Sequence, residues 1–479
     1  MNKIVQSALF TDFYELTMAQ GYWKRGVSGQ RVVFDYFFRR QPFSGGYSVF
    51  AGLGTLLDAL VGFRFTDADI RFLETLGIFD TAFLKYLTEF SFKGTIHSVR
   101  EGEIVFPQEP LLRVDGDLVE SQIIEGIILN TLNFQSLVAT KSARVWLASG
   151  KGRIMEFGLR RAQGSDGAVS ATRAAYIGGA FGTSNTLAGN LFGIPLMGTM
   201  AHSWIMSYPN ELESFKAYAE IYPKAATFLI DTYNTLESGI GNAIAVGREL
   251  AEKGLSFGVR LDSGDIDYLS REVRARLDEA GLQNAKIVVS NELDEGIIEH
   301  LVASHAPIDV WGVGTNLVTG GNEAAFTGVY KLSMIQAGSV DKAVMKFSDN
   351  PEKSTNPAKK DVFRLYDDVG RARLDLITLE GEMPAESVPL VAHHPSCDYR
   401  QLSFVPAKVE PLLRKVMEGG RRLGEKPSLA ESRQYFMDRI EKFDTTYMRQ
   451  LNPHIYKVSL SDKLKDLKLG LLRKYLKKK

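Results

Sequence analysis

One cysteine, Cys397, is all that this chain of 479 residues carries. A disulfide scaffold is excluded, because that thiol has no partner within the chain. A reducing compartment fits. Net charge is missing too, since 57 Lys and Arg balance 57 Asp and Glu. Such a chain lacks the global basic field that draws in nucleic acid. Nor is there an uninterrupted apolar run of the roughly 18 residues that a membrane span requires. The longest apolar stretch, residues 123–132, is broken by Glu125, Asn130 and Thr131. The start, Met1-Asn2-Lys3-Ile4, leads to Asp12 and Glu15 rather than to an apolar segment, so no signal peptide is expected. These absences point to a cytoplasmic globular protein that binds neither nucleic acid nor membrane. What is present agrees: 44% hydrophobic and 24% charged residues supply a large core and a solvated surface. At about 150 residues per domain, the length suggests roughly three domains.

Charge is uneven only at the tail. Residues 461–479 hold eight Lys or Arg and two Asp, a local excess of six positive charges. Leu460, Leu464, Leu467, Leu471 and Leu472 fall at helical spacing, which predicts an amphipathic C-terminal helix with a solvated basic face.

The pattern changes twice along the chain. Residues 11–23 have helical periodicity, 32–38 alternate like a strand, and 47–50 form a second short candidate. Thr66-Asp67-Ala68-Asp69 resembles a capping box with Asp in place of Glu. Strands are expected at 94–99, 103–106 and 111–114, then one long helix over about 119–148. From residue 153 to about 332, short apolar runs each end in a polar, glycine-containing turn and give way to a helical pattern. These runs are 154–157, 195–197, 228–230, 257–261, 287–289 and 310–313. At least six such units predict a parallel sheet and most simply a β/α barrel, in which chemistry sits where strands end. Beyond Gly338 come a polar loop at 349–361, strands at 362–366 and 374–379, and a helix at 429–443. No repeat of fixed period is present, which excludes a solenoid. The expected domains are residues 1–118, 119–335 and 336–479, the last packing on the first.

The strand ends carry the chemistry. Gly312-Val313-Gly314-Thr315-Asn316 lets backbone amides approach an anion, or is simply a tight turn. Arg260-Leu261-Asp262-Ser263-Gly264-Asp265 sets one cation and two carboxylates within six residues. Arg260 can clamp a carboxylate or phosphate in two-pronged fashion. Asp262 and Asp265 can hold ribose hydroxyls or a hydrated Mg²⁺; the alternative is a helix cap at Asp262 or Ser263. Arg160-Arg161 adds two cations after Phe157. Of seven histidines, His202 alone follows a strand within a glycine-containing turn, Gly198-Thr199-Met200-Ala201-His202-Ser203. A histidine there can be an acid/base, a metal ligand or a phosphoryl acceptor. His393-His394-Pro395-Ser396-Cys397 lacks the second ligand pair of a structural zinc site. Together the strand ends describe a site for a sugar phosphate with magnesium.

Several blocks, in order, resemble nicotinate phosphoribosyltransferase: Thr11-Asp12-Phe13-Tyr14, Phe37-Phe38-Arg39-Arg40-Gln41-Pro42-Phe43, Glu156-Phe157-Gly158-Leu159-Arg160-Arg161-Ala162, and the turns around His202, Asp262 and Gly314. The loop over residues 349–357 and Leu451-Asn452-Pro453-His454 extend the likeness over nearly the whole chain. The resemblance implies an α/β fold, with an irregular β/α barrel of the type II phosphoribosyltransferase kind between an N-terminal α/β region and a C-terminal part. It also implies a head-to-tail homodimer with shared active sites. The implied reaction joins nicotinate to 5-phosphoribosyl 1-pyrophosphate, coupled to ATP hydrolysis with Mg²⁺, in NAD salvage. By the same resemblance His202 is the phosphorylated histidine. Tyr14 (from the other subunit), Phe157, Thr199 and Arg260 bind nicotinate. Arg160, Asp231, Asp262, Asn291, Gly314 and Thr315 bind the phosphoribosyl pyrophosphate. Asn185 stands where the related nicotinamide enzyme has an Asp; without that negative charge the acid is favoured. Competing readings are a nicotinamide or quinolinate enzyme, a non-catalytic flavin- or phosphosugar-binding module, and an interaction protein acting through the basic tail.

Overall fold

In the computed structural model, residues 7–348, 353–397 and 399–476 are described. The loop expected at 349–361 and the last three lysines therefore lie partly outside the described residues. The chain divides into two compact units, Met1–Leu137 with Ala325–Lys479, and Val138–Ala324. The expected boundaries at 118 and 335 fall elsewhere for two reasons. Val119, Ile123, Ile124, Ile127, Ile128, Leu132 and Leu137 join the core of the first unit. Gly328–Ala337 pairs antiparallel with Arg31–Phe38, some 300 positions earlier in the chain.

The first unit holds two large sheets, one wholly antiparallel and one mixed. One has seven strands, with Arg31–Phe38 between Gly328–Ala337 and Leu112–Asp117. Seven of the eight residues of Arg31–Phe38 are buried, so both faces of the strand are covered. The second, of six strands, centres on Ala372–Leu379, paired to Lys360–Tyr366 and Lys457–Leu460. Arg364 ties the N- and C-terminal parts of this unit together. Fully buried, it forks onto Asp375 at 2.7 Å and also meets Glu103. A guanidinium without solvent is tolerable only with such partners.

Local expectations hold where the physics is local. The first helix runs Phe13–Lys24, and Thr66 caps Asp67–Thr75: its hydroxyl accepts from Asp69 N (3.2 Å), and Asp69 accepts from Thr66 N (2.8 Å). Helix Leu429–Ile440 also opens on a capping box, at Ser428. The expected long helix is instead two, Leu118–Ile123 and Glu125–Ala148. At the break Thr11 donates its hydroxyl to the freed Ile123 carbonyl at 2.9 Å. By length and composition the stretch Leu118–Ala148 could cross a membrane, but 72% of its most apolar window is buried within the protein. The tail helix is Asp462–Leu476, with Leu460 on the preceding strand. Its basic face is not wholly solvated. Lys465 and Lys468 are buried, and Lys468 donates to Asn356 (2.8 Å) and to the Pro395 carbonyl (3.0 Å).

The second unit is built on one parallel sheet. Its order is Gly182–Thr183, Arg153–Glu156, Val310–Val313, Lys286–Val289, Gly258–Leu261, Thr227–Leu229. Leu196 adds a single parallel bridge beyond Thr183. Apart from the pair Gly182–Thr183 and Thr227–Leu229, each strand neighbours the next in the chain, and the first also neighbours the last. That is the connectivity of a β/α ring with one seam, between Leu196 and Thr227–Leu229, where no ladder joins among the described residues. Two expectations change. The run 195–197 supplies only a bridge, and the two-residue strand Gly182–Thr183, too short for an apolar run, takes the place beside Arg153–Glu156.

Candidate active site

Because the strands of the second unit are parallel, their C-terminal ends share one edge, the usual location for ligand and catalytic groups in such sheets. Phe157, Asp231, Asp262, Asn291 and Gly314 each follow a strand directly or within two residues, so all lie along that edge.

Arg260 and Asp262 sit at the centre. The Arg260 guanidinium donates to the Thr199 hydroxyl and approaches the Met200 carbonyl at 3.4 Å. Its other amino group is 3.5 Å from Asp262 Oδ2. Ser290 donates to Asp262 Oδ1. Asp231 Oδ2 accepts from Asp262 N (2.8 Å) and the Ser263 hydroxyl (2.7 Å). These bonds fix both carboxylates and leave specific atoms unused. Among the described residues, Asp231 Oδ1 and Arg260 Nε are buried without a hydrogen-bond partner. Buried polar atoms left unpaired cost stability, and at a functional site they mark places for a ligand.

His202 begins the short helix His202–Met206. Its Nδ1 is 3.0 Å from the Thr232 hydroxyl, and its Nε2 is 3.9 Å from Asp262 Oδ2. The hydroxyl orients the ring while Nε2 remains open beside a carboxylate. With the side chain 42% exposed, the nitrogen is reachable.

Phe157 is half-buried against Met155, Val288, Val310 and Met197, and its amide donates to the Val313 carbonyl at 2.9 Å. Gly312 makes room for the ring, since a Cβ there would lie 2.7 Å from Phe157 Cδ2. Gly314 is the residue before helix Thr315–Thr319, and a Cβ on it would meet the Phe157 carbonyl oxygen at 3.2 Å. Asn291 and Glu292 both have positive φ, 96° and 33°, a backbone state that costs non-glycine residues energy and clusters at functional sites. Thr315 Oγ1 lies 3.4 Å from Glu292 Oε1. Arg160 is exposed on the turn after Phe157.

Three of the residues singled out in the sequence have distinct surroundings. Asp265 caps helix Ile266–Glu279, accepting from Tyr268 N at 3.1 Å, so its carboxylate has a structural task. Asp231, with its orphaned oxygen, is the better companion to Asp262 for a hydrated cation that needs only one or two carboxylates. Asn185 is 2% exposed and fully engaged, accepting from Ala188 N and donating to the Ala168 carbonyl and the Thr172 hydroxyl. Its side-chain amide therefore offers no free donor to a ligand. Tyr14 belongs to the first unit, where it is 48% exposed. Burial first, then the Glu125, Glu15 and Asp12 carboxylates, hold its phenol well above the usual range.

Sequence reasoning missed Thr232, Ser263, Ser290 and Glu156. Glu156 is 1% exposed at a strand end. Its carboxylate accepts from Gly158 N and from the hydroxyls of Thr172 (2.9 Å) and Thr183 (2.6 Å), pinning the turn that carries Phe157 and Arg160. An acid inside an apolar strand pattern was the available signal. At the other motif set aside for zinc, His393 Nε2 meets Asp462 at 2.6 Å.

Parallel strands whose C-terminal ends gather an arginine, paired aspartates, a histidine and a glycine turn make an α/β protein with a candidate ligand site at that edge. Comparison with known proteins narrows this. The nicotinate phosphoribosyltransferase (NAPRTase) N-terminal domain profile matches residues 9–133, the NAPRTase family profile residues 153–370, and the C-terminal domain profile residues 359–468. The chain is 41% identical over 456 residues to nicotinate phosphoribosyltransferase of Bacillus subtilis, covering 95% of this chain and 93% of that one. Likeness to the Dictyostelium discoideum enzyme of the same name is 37% over 515 residues, covering 96% and 87%. The crystal structure of human nicotinic acid phosphoribosyltransferase superposes with a TM-score of 0.85 at 32% identity, over 96% of this chain and 99% of that one. The chain belongs to the nicotinate phosphoribosyltransferase family, and its fold is of the type II phosphoribosyltransferase kind.

Proposed function

We propose that the chain joins nicotinate to 5-phosphoribosyl 1-pyrophosphate, giving nicotinate mononucleotide and pyrophosphate. ATP hydrolysis drives the reaction through a phosphohistidine at His202, which makes the enzyme an ATP-coupled ligase of NAD salvage. The observation that carries this reading is the joint placement of His202 Nε2 and the Arg260 guanidinium near one Asp262 carboxylate oxygen, at 3.9 and 3.5 Å.

Each residue has a task that its chemistry supports. Arg260, steadied by Thr199, pairs with the nicotinate carboxylate. Phe157 stacks on the pyridine ring, and Tyr14 of a second copy covers its other face. Aromatic faces hold a flat ring with the nitrogen aimed at the anomeric carbon, where positioning is worth several powers of ten in rate. Asp231 and Asp262 face the ribose hydroxyls, with Asn291, Gly314 and Thr315 on the phosphate. Arg160 draws charge from the leaving pyrophosphate. Asp231 and Asp262 would hold Mg²⁺, which would further neutralise that charge. ATP passes its γ-phosphoryl group to His202 Nε2 and leaves as ADP; water later cleaves the N–P bond, so synthesis is harder to reverse.

The exposed Phe13 (54%) and Tyr14 on one helix support a homodimer with shared sites. The lone Cys397 is consistent with the reducing cytoplasm. The test is a quantified product assay with nicotinate, nicotinamide and quinolinate, each with and without ATP. Mononucleotide formed chiefly from nicotinate and increased by ATP supports the reading. A preference for either other base, or indifference to ATP, contradicts it.

A further inference from the structure

In the second sheet of the first unit, strand Ala372–Leu379 starts between two arginines. Ala372 is 1% exposed, so by the alternation of strands Arg371 and Arg373 project together from the other face. A cavity of about 380 Å³ lies beside them, and the segment that follows helix Leu429–Ile440 completes it with Asp444, Tyr447, Arg449 and His454. Three guanidiniums thus line one concavity. Two carboxylates answer them, both loosely: Asp444 is 3.2 Å from Arg371, and Asp367 is 3.5 Å from Arg373. Asp444 is also committed to its own chain. It caps the turn Thr445–Tyr447, accepting from Thr446 N (2.9 Å) and the Thr446 hydroxyl (2.8 Å). Arg449 forms no ion pair among the described residues; its Nε reaches the Thr446 carbonyl at 3.3 Å.

The cavity wall is set in advance. His454 N donates to the Thr446 carbonyl at 2.9 Å, and its ring sits 5.1 Å from that of buried Tyr447. Asn452 takes a left-handed φ of 46° to turn the chain there. Gly46 allows close approach beneath, since a Cβ on it would lie 2.9 Å from Pro453 Cβ. Like charges facing one another across a strand or cavity are unfavourable alone, and an anion with several oxygens offsets that cost. Planar guanidinium forks match phosphate oxygens in particular. The size is that of a small-molecule pocket rather than of a surface that tracks a polymer.

We propose that this cavity binds the phosphate group of a small molecule, inorganic phosphate or a phosphomonoester, through Arg371, Arg373 and Arg449, with His454 at its rim. None of these residues belongs to the strand-end cluster, and the site stands or falls independently of the reaction proposed above. It gives a role to the Leu451-Asn452-Pro453-His454 motif, which that reaction leaves unused.

The test uses the full chain, inorganic phosphate as the probe, and ring resonances of labelled histidine, with His454 assigned by its loss in His454→Gln. At constant ionic strength, phosphate is expected to shift the His454 signal saturably. Arg373→Gln and Arg449→Gln should each weaken that binding about tenfold, the worth of one charge-assisted contact. Arg449→Lys, which keeps charge but loses the fork, should fall between. Arg421→Gln, exposed on another strand, should bind as the unmodified chain does. Thermal melts establish that each variant is folded. A signal that does not move, that moves equally with chloride, or that titrates with unchanged affinity in the folded Arg373→Gln and Arg449→Gln variants would overturn the proposal.

Discussion

Replacing Gly312 by alanine places a methyl group where the Phe157 ring now lies. The new carbon would arrive 2.7 Å from Cδ2, 2.8 Å from Cε2 and 3.3 Å from Ser290 Cβ. Carbon atoms rest at about 3.5–4.0 Å from one another, so the ring must retreat by roughly 1 Å. It has little space to do so, being packed on Met155, Val288, Val310 and Met197. Forcing one extra methyl into filled space costs about 1–3 kcal/mol. Gly312 has no positive φ, so alanine adds no backbone strain and the cost belongs to the clash. The functional loss should be larger than the structural one. A misplacement of about 1 Å in a positioning group can cost about 100-fold in rate. Gly312→Ala is therefore expected to fold, to melt a few degrees lower, and to lose roughly 10- to 100-fold in kcat/KM for nicotinate. Melting curves and steady-state kinetics measure both. Adding Phe157→Leu should relieve the clash and recover stability without recovering nicotinate use. A folded Gly312→Ala enzyme with unchanged kcat/KM for nicotinate would refute the placement of the base against Phe157.

Arg260→Lys should raise KM for nicotinate by at least about tenfold while melting close to the parent, because an ammonium cannot make the two-pronged contact; an unchanged KM in a folded variant would remove Arg260 from the base pocket. Tyr14→Ala and His202→Ala, each inactive, should regain part of the activity when mixed under subunit exchange, since one hybrid site contains both intact residues. No recovery after demonstrated exchange would argue for a pocket made within one chain. Burial, reinforced by Glu125, lifts the Glu15 carboxyl from 4.5 to about 8. Between those values the folded chain keeps a proton that the unfolded chain releases, so this contribution is complete below about pH 4.5 and is lost as pH rises through about 8. Glu15→Gln should flatten that fall in denaturant melts across the range; an unaltered slope would mean that Glu15 is ionised throughout.

How far the sequence could be read depended on the range of the forces involved. Alternation and capping are local, so the strand at Arg31–Phe38 and the box at Thr66 were legible to within a residue or so. Five of the six apolar runs became strands of the parallel sheet because each is a short buried segment closed by a turn. Gly182–Thr183 was not legible, since two small residues carry no periodicity. Nor was the pairing of Gly328–Ala337 with Arg31–Phe38, which depends on where the intervening unit returns the chain. At the site, residues with rare chemistry at or near strand ends, such as His202, Arg260 and Asp262, stood out. The hydroxyls that hold them, Thr232, Ser263 and Ser290, did not, because serine and threonine at strand ends are ordinary turn residues. Asp265 was read as a possible ligand and serves as a cap, two uses that one short acidic side chain at a helix start cannot separate in sequence.

The account turns on covalent capture of phosphate by one histidine. Incubating the enzyme with Mg²⁺ and ATP labelled in its γ-phosphate should give protein-bound label that is lost in acid and survives base, the behaviour of a phosphoramidate. His202→Asn should carry none, lose ATP hydrolysis, and still make nicotinate mononucleotide slowly, because the sugar, pyrophosphate and base contacts remain. Label that persists in His202→Asn, or that maps to any other residue, would contradict the mechanism even with nicotinate as the substrate.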